Sequence, residues 1–492
     1  MYKRQVLATV TLKAQSTLGF YHIARELPSG TNTSPIFFPD ASFYINFGLQ
    51  ANVTSPYKFS EIVDDDGFYN IGLLTDDVDN KDFITANAEV YPLNLGLRLS
   101  RKSYLTIFAN VVSNNTIQLP KKAISFALNG NTSLVGQSYE IDDIRIQSNN
   151  YTEVGLGYGR EFKLLNRKLL IGARFKYLVG LAYAGTGSDA SATITTNPDG
   201  TLDVDISNDG VLRTANLESM RNFDINDVES VTSNRGFAFD IGAEYNLTKR
   251  LSVSFTGRDL GSIRWTRESS KIYQANDTDL SYSGLGDLSE TNDISSILDS
   301  LSDIETSEYK EGFRKSLQSE FYYGARYKLN RTTYLSGTLA NYFRLGRLQT
   351  SIGAGLTTTM FKFLTLSGSV SKVPENGIDF GAGFGLRFFH LFQFHFAADG
   401  LNALAVKDAS FVQFNTGFSI MTGRPSRRPI REARRQEKAL ERGEVIEPTV
   451  EKNKENEIKK KAKNYGNTRE DRSSKGKYKQ LDKDKKRFEK KL

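Results

Sequence analysis

The sequence predicts an all-β fold, a transmembrane antiparallel β-barrel of about fourteen strands between Ser42 and Met421 that ends in a basic tail. Three observations predict it. Apolar and polar residues alternate over rows longer than the ~5–6 residues of an ordinary globular strand. Connections between the rows alternate short and long. The long connections are acidic and the short ones mostly basic.

The N-terminus comes first. Val6–Gln15 reads as the end of a secretory signal with cleavage after Ala14, so residues 1–15 are expected to be a signal remnant whose Met1–Gln5 is not native. A short strand or irregular start is the plain alternative.

The strands follow. Phe43, Ile45, Phe47, Leu49, Ala51 and Val53 alternate with polar or small residues, as do Leu93, Leu95, Leu97 and Leu99. Leu169 to Tyr183 forms one apolar row, with Arg174 and Lys176 on the other face, and Phe237 to Leu247 opposes Asp240 and Glu244. The pattern recurs at Phe321–Leu329, Leu348–Met360, Ile378–Phe388 and Val412–Ile420. Several rows exceed the ~9–11 residues that cross a bilayer as a tilted strand. The second face carries glycines and isolated charges, which suits a wet lumen better than a soluble core. Closure into a barrel satisfies every strand edge, as hydrocarbon demands.

The connections set direction. Tight ones fall at Arg101-Lys102, Lys163–Lys168, Thr248–Arg250, Asn330–Thr332, Phe361-Lys362 and Phe389-His390. Thr54–Phe83 has 8 acidic and 2 basic residues, Gly185–Asn234 has 9 and 2, and Gly261–Lys315 has 11 and 6. Short periplasmic turns and long outer loops are the transmembrane-barrel pattern. Because Arg101-Lys102 and Lys163–Lys168 both turn on the periplasmic side, Ser113–Asn150 must begin and end outside. We read it as an outer excursion with a short helix or hairpin at Ala123–Gly130. That leaves fourteen strands with both termini periplasmic; entry of Ser113–Asn150 as a pair would make sixteen.

Composition agrees. The 492 residues include no cysteine, which excludes disulfides and thiolate metal sites. No stretch approaches the ~18 apolar residues of a membrane helix. Mean hydropathy is −0.42, compatible with strands of which only alternate residues meet lipid. Tyr (23), Phe (32) and Gly (40) are plentiful, and Pro (11) is sparse. The chain's 64 basic and 57 acidic residues divide unevenly: Arg424–Leu492 holds 25 and 13, a net of +12, and leaves the body at −5. This tail, 424–492, reads as partly helical at Arg431–Arg442 and otherwise disordered. It lacks the interleaved aromatics of single-strand nucleic-acid binders, and a periplasmic position removes that partner. Anionic lipid, cell-wall polymer or an acidic periplasmic protein fits better, beside the plain reading of a solvated tail.

Some stretches resemble a known family. Ser16-Thr-Leu-Gly-Phe-Tyr-His-Ile-Ala-Arg-Glu-Leu-Pro-Ser-Gly-Thr-Asn-Thr-Ser-Pro35 resembles the mature start of a Bacteroidota outer-membrane barrel family of unknown function. Gly257-Arg-Asp-Leu-Gly-Ser-Ile-Arg-Trp265 resembles its mid-barrel signature, and Phe394–Leu401 with Phe414–Arg424 its closing pair. The family looks akin to the group of the long-chain fatty-acid transporter and type IX secretion barrels. The resemblance implies that residues 16–40 are a plug or hatch inside a barrel of 41–423. The sequence departs from the family at Thr33-Ser34-Pro35-Ile36, where relatives tend to have Asn-Pro-Ala, and at Gly400, where Asn is usual.

Chemical motifs are weak. No metalloprotease, nucleophile-elbow or phosphate-loop pattern occurs. Gly155, Gly157 and Gly159, spaced by two among Val154, Leu156 and Tyr158, read as a strand with a glycine face. His395 with Ser367 or Ser369 is the remote nucleophile–base option, set against the expectation of no catalytic site. No cofactor is implied. No metal site is expected: Asp64, Asp66, Asp76, Asp77 and Asp79 are weak Ca²⁺ candidates that lack EF-hand spacing and read first as solvated loop charge. Thr195–Gly200 is a turn signal in an outer loop. The expected lumen-lining residues are Arg98, Glu153, Arg174, Lys176, Asp240, Glu244, Arg258, Glu320, Arg326, Asp379, Arg387 and His395. They either pair and hold the plug or line a solute path.

The expected function is a non-enzymatic outer-membrane barrel in contact with outer-membrane lipid, a plugged transporter or channel for small molecules, hydrophobic ones included. The alternatives are an accessory barrel of a secretion or surface-assembly system that binds periplasmic protein through its tail, and an adhesive or structural surface barrel.

Overall fold

Strands with one apolar face are stable in hydrocarbon only if every backbone edge is paired. Fourteen antiparallel strands meet that condition by closing on themselves: β1 Phe43–Thr54, β2 Ile84–Ser100, β3 Ser103–Gln118, β4 Arg145–Leu164, β5 Arg167–Gly185, β6 Arg235–Asn246, β7 Leu251–Trp265, β8 Glu320–Lys328, β9 Thr333–Arg344, β10 Arg347–Met360, β11 Leu364–Val373, β12 Gly377–Phe388, β13 Phe392–Asp399 and β14 Phe411–Thr422. Each pairs with its neighbours in sequence, and β1 closes on β14 from Phe43↔Thr422 to Thr54↔Phe411. The computed structural model describes residues 18–39, 41–55, 58, 83–118, 120–122, 135–142, 144–186, 191–198, 201–206, 212–216, 233–275, 280–281, 306–344, 346–361, 363–373, 377–389, 391–401 and 410–422. The chain divides into units 1–425 and 426–492, and every described residue belongs to the first.

The outer face is apolar. Val154, Leu156 and Tyr158 on β4, Phe237, Phe239 and Ile241 on β6, and Ile352 and Leu356 on β10 are 43–57% exposed. A continuous apolar surface of this kind belongs against lipid. The inner face alternates with it and is polar, with Asn46, Asn94, Asn110, Arg174, Asp240, Thr256 and Ser419 buried.

Tight turns close one end at Arg101-Lys102, Leu165-Asn166, residues 247–250 and 329–332, and the chain reverses again between Phe361 and Phe363 and between Phe389 and Leu391. Leu165 and Asn166 both take positive φ (47° and 58°), the conformation that lets a two-residue turn match strand twist. At the other end four short strands extend the wall. Phe313–Ser316 pairs with β7, Leu212–Ala215 with β5, and Ser270–Ala275 with Leu212–Ala215 and Thr306–Tyr309. A separate four-stranded sheet joins Ser138–Ile141, Ala192–Thr196, Thr201–Ile206 and Leu280-Ser281. The turn expected at Thr195–Gly200 joins two of them, with Thr196 opposite Leu202.

Three bulges correct the simple alternation. Asn150 and Tyr151 of β4 face Ala182 and Gly180 of β5, so Leu181 is an extra residue. One extra residue exchanges the faces beyond it, and Tyr183, placed by sequence in the outer row, turns inward and is 1% exposed. A second bulge at Arg258-Asp259, with Asp259 at φ +57°, turns Ile263 and Trp265 inward. A third at Tyr91-Pro92 turns Glu89 and Asn87 inward. The excursion at Ser113–Asn150 is also shorter than expected, because β3 and β4 pair on to Gln118↔Arg145. The helix or hairpin at Ala123–Gly130 lies outside the described residues, as do the signal remnant and the tail.

Candidate functional site in the barrel interior

The N-terminal segment Leu18–Pro39 packs against the inner wall. Its helix α1, Leu18–Ala24, contacts β9 to β13. A single-turn helix α2, Gly30–Thr33, follows. Phe20, Tyr21, Ile23, Leu27, Ile36 and Phe37 form a buried cluster with Leu170, Tyr322, Ala340, Tyr342 and Ala397 of the wall. Tyr21 stacks on Tyr322 at 5.0 Å and Phe20 on His395 at 5.7 Å. The wall makes room with glycine. A Cβ on Gly172 would lie 2.2 Å from the Pro35 carbonyl oxygen, and one on Gly159 1.9 Å from the Phe38 ring. The glycine face Gly155–Gly159 of β4 is thus a matter of space, with no phosphate loop.

Polar contacts fasten this segment. Arg174 donates to the carbonyls of Thr31 and Asn32, and Asn94 to Thr31 Oγ1 and Asn32 Oδ1. Ser34 and Thr256 share a 2.6 Å bond, and Arg98 donates to the carbonyls of Pro39 and Ala41. His22 Nδ1 lies 2.7 Å from Ser336 Oγ, and Thr357 donates to the His22 carbonyl. Burial drives the His22 imidazole down to about 4. Two reciprocal ion pairs complete the fastening: Arg25 with Glu244 of β6, and Glu26 with Arg326 of β8 at 2.5 Å. Burial, then the neighbouring Arg326, pull Arg25 down to about 10, so it stays charged at neutral pH.

A belt of buried charge crosses the interior beyond the segment. Lys176 sits 2.6 Å from Asp259, 3.0 Å from Glu153 and 3.3 Å from Asp240, while Arg174 reaches Asp240 at 2.7 Å. Arg258 bridges Glu89 at 3.5 Å and Glu320 at 3.6 Å, and Arg344 approaches Glu320 at 3.8 Å. Asn110 donates to Glu153 and the Asp259 amide to Asp240. A cavity of about 40 Å³ lies among Glu89, Glu153, Arg258, Asp259, Glu320 and Arg344, polar enough and large enough for ordered water.

The belt therefore joins six of the sequence-derived residues: Glu153, Arg174, Lys176, Asp240, Arg258 and Glu320. Glu244 and Arg326 instead hold Arg25 and Glu26, and Arg98 holds backbone. Asp379 accepts the Gly400 amide at 3.0 Å, and Arg387 donates to Gln393 and to the Met421 sulfur. His395 Nε2 bonds Asn415 Oδ1 at 2.9 Å and Ser29 Oγ at 3.3 Å, while Ser367 bonds Thr357, so the histidine and serine are not brought together. Sequence reading missed Glu89 and Asp259, because strict alternation puts both outside. Pro92 within β2 was the available sign of a bulge. It also missed Arg25, Glu26 and Arg344.

Beyond the belt, at the long-loop end, Val112, Tyr151, Leu178, Tyr183, Ile263 and Trp265 form a second buried cluster with Phe313 packed on it. The Ca²⁺ candidates Asp64, Asp66, Asp76, Asp77 and Asp79 lie outside the described residues.

A family model described as a family of unknown function, DUF5723, matches residues 35–399, about three quarters of the chain. The chain belongs to the DUF5723 family. Several solved structures align with the chain at low identity. The Pseudomonas putida toluene transporter TodX is 10% identical over 83% of this chain and 94% of that one, with a TM-score of 0.39. A Pseudomonas aeruginosa FadL homologue is 10% identical over 80% and 93%, with a TM-score of 0.37. The translocator domain of autotransporter NalP from Neisseria meningitidis is 9% identical over 77% and 88%, with a TM-score of 0.28. No curated protein matches the chain. The architecture of this DUF5723 member is a closed fourteen-stranded antiparallel barrel with an apolar exterior.

Proposed function

We propose that the chain is a non-enzymatic outer-membrane channel for small molecules, held shut by its N-terminal segment, with the tight turns and both termini on the periplasmic side. The observation that carries this reading is the way Leu18–Pro39 is attached: two ion pairs and a set of single hydrogen bonds to side chains of the wall, without backbone pairing to a strand. Such contacts can be exchanged for water one by one, whereas a strand added to the sheet could not leave without opening the barrel. The charged belt favours a small polar solute over a bulky apolar one, because a solute would replace ion pairs and water there. The twelve residues from Arg98 to His395 act in this reading as seal and path together.

The test is liposome swelling by full-length protein and by a deletion of residues 16–40, both shown to be heat-modifiable. Several-fold faster swelling of the deletion supports the channel; equal rates for small sugars and amino acids overturn it. A second reading has one observation in its favour: the small cavity left between segment and mouth. It makes the barrel a permanently closed scaffold whose loops and basic tail bind a periplasmic partner. Equal swelling together with specific capture of an acidic protein by the tail would select it.

A further inference from the structure

The interior holds a second cavity, of about 600 Å³, at the tight-turn end. Its size falls in the range of small-molecule pockets, ~300–1,000 Å³. The N-terminal segment forms one side through Arg25, Glu26, Phe38 and Pro39. The wall contributes Lys168, Lys249, Arg250, Lys328 and Arg387, from β5, the β6–β7 turn, β8 and β12, together with Arg326. Among the described lining residues, seven are basic and two are acidic. Both acids, Glu26 and Glu244, are already engaged by Arg326 and Arg25. Lys168 has its partner outside the cavity, in Glu161 at 2.9 Å. Lys249, Arg250 and Lys328 therefore add positive charge that no carboxylate among the described lining residues offsets. Charge of one sign in a concave wall concentrates the opposite sign inside it.

The geometry suits an oxyanion. Arg326 lies over the Tyr334 ring at 3.6 Å, which fixes the plane of its guanidinium. A planar guanidinium fork matches the oxygen pair of a carboxylate or phosphate. Arg25 and Arg326 each now bond one glutamate, and any oxyanion between them would offer the same oxygens.

We propose that this vestibule binds a small soluble oxyanion, a phosphate or carboxylate group, and that the bound anion competes with Glu26 and Glu244 for Arg326 and Arg25. Occupancy then loosens Leu18–Pro39, since a ligand that prefers the unfastened state shifts the population toward it. The loosening rests on the reading that this segment closes the barrel; the anion site does not. A soluble ligand is favoured over lipid because Arg326, Lys328 and Arg387 stand on the inner faces of their strands, across the wall from the bilayer.

The test uses full-length protein in uncharged detergent, titrated calorimetrically with inorganic phosphate at an ionic strength held constant with sodium chloride. One saturable site is expected, weakened at least tenfold by Lys249→Ala, Arg250→Ala and Lys328→Ala together, in a variant that remains heat-modifiable. Non-saturating heats, or equal affinity in the triple variant, overturn the site. In phosphatidylcholine nanodiscs the affinity should persist, and competition by added phosphatidylglycerol would assign the site to a lipid headgroup instead. Hydrogen exchange of residues 18–39 should quicken at least tenfold at saturating phosphate; unchanged exchange beside intact binding overturns the competition. If the deletion of residues 16–40 fails to raise swelling while phosphate still binds and speeds exchange, the channel reading fails and the anion site stands.

Discussion

Lys176 is 1% exposed and faces three carboxylates, Glu153, Asp240 and Asp259. Removing one member of a buried ionic cluster leaves its partners unpaired, at a cost of about 3–5 kcal/mol. Lys176→Met should lower barrel stability by that amount in urea titrations read by gel mobility. Adding Asp240→Asn should recover part of it, and an unchanged midpoint would remove the belt from the list of structural elements. His22 gives a pH dependence. Its pKa is near 6.5 when free and about 4 when docked. Below pH 6.5 the undocked segment takes up a proton that the docked one refuses. Docking is therefore fully stable above pH 6.5 and weakens as pH falls toward 4, by about 3 kcal/mol in all. Swelling should rise on acidification through that window and rise less in His22→Gln; identical profiles would refute the assignment.

At the scale of elements, the bulges decide what the strands present. Deleting Leu181 removes the extra residue, restores unbroken alternation in β5 and leaves Tyr183 on the inner face opposite Asn149. Tyr183 and Trp265 stand 5.6 Å apart, and Trp265 is the chain's single tryptophan. The deletion should therefore leave tryptophan emission unshifted while Tyr183→Ala red-shifts it, and a red shift on deletion alone would count against Leu181 as the extra residue. The N-terminal segment shows another property of elements. Helices of seven and four residues have little stability of their own. They persist because aromatic residues pack on wall positions such as Tyr322 and His395, and because Gly172 and Gly159 leave space.

At the scale of the molecule, closure of β1 on β14 leaves no barrel edge unpaired, and unfolding must break the ring as a unit. Full-length protein should migrate as a compact species in detergent gels without boiling and shift to full length on heating; extraction as a water-soluble monomer would contradict the apolar exterior. Strand number and order are legible in the sequence. Rows such as Phe237–Leu247 and turns such as Arg101-Lys102 repeat often enough for the parity of the tight turns to count fourteen. The charged residues at even positions of β5 and β6 were legible for the same reason. Glu89 and Asp259 were hidden behind bulges, and Arg25 and Glu26 sit in a segment with no period to read.

Period-two alternation, turn chemistry and loop charge thus determined by themselves that this chain closes a lipid-facing barrel, because those signals are local and each strand repeats them. Only the tertiary structure decided which residues meet inside. One extra residue at Leu181, at Asp259 or beside Pro92 exchanges the faces of everything beyond it. The partners of Arg25, Glu26 and Lys176 are separated from them by tens to hundreds of residues, brought together by the closed register of the barrel and the segment folded within it.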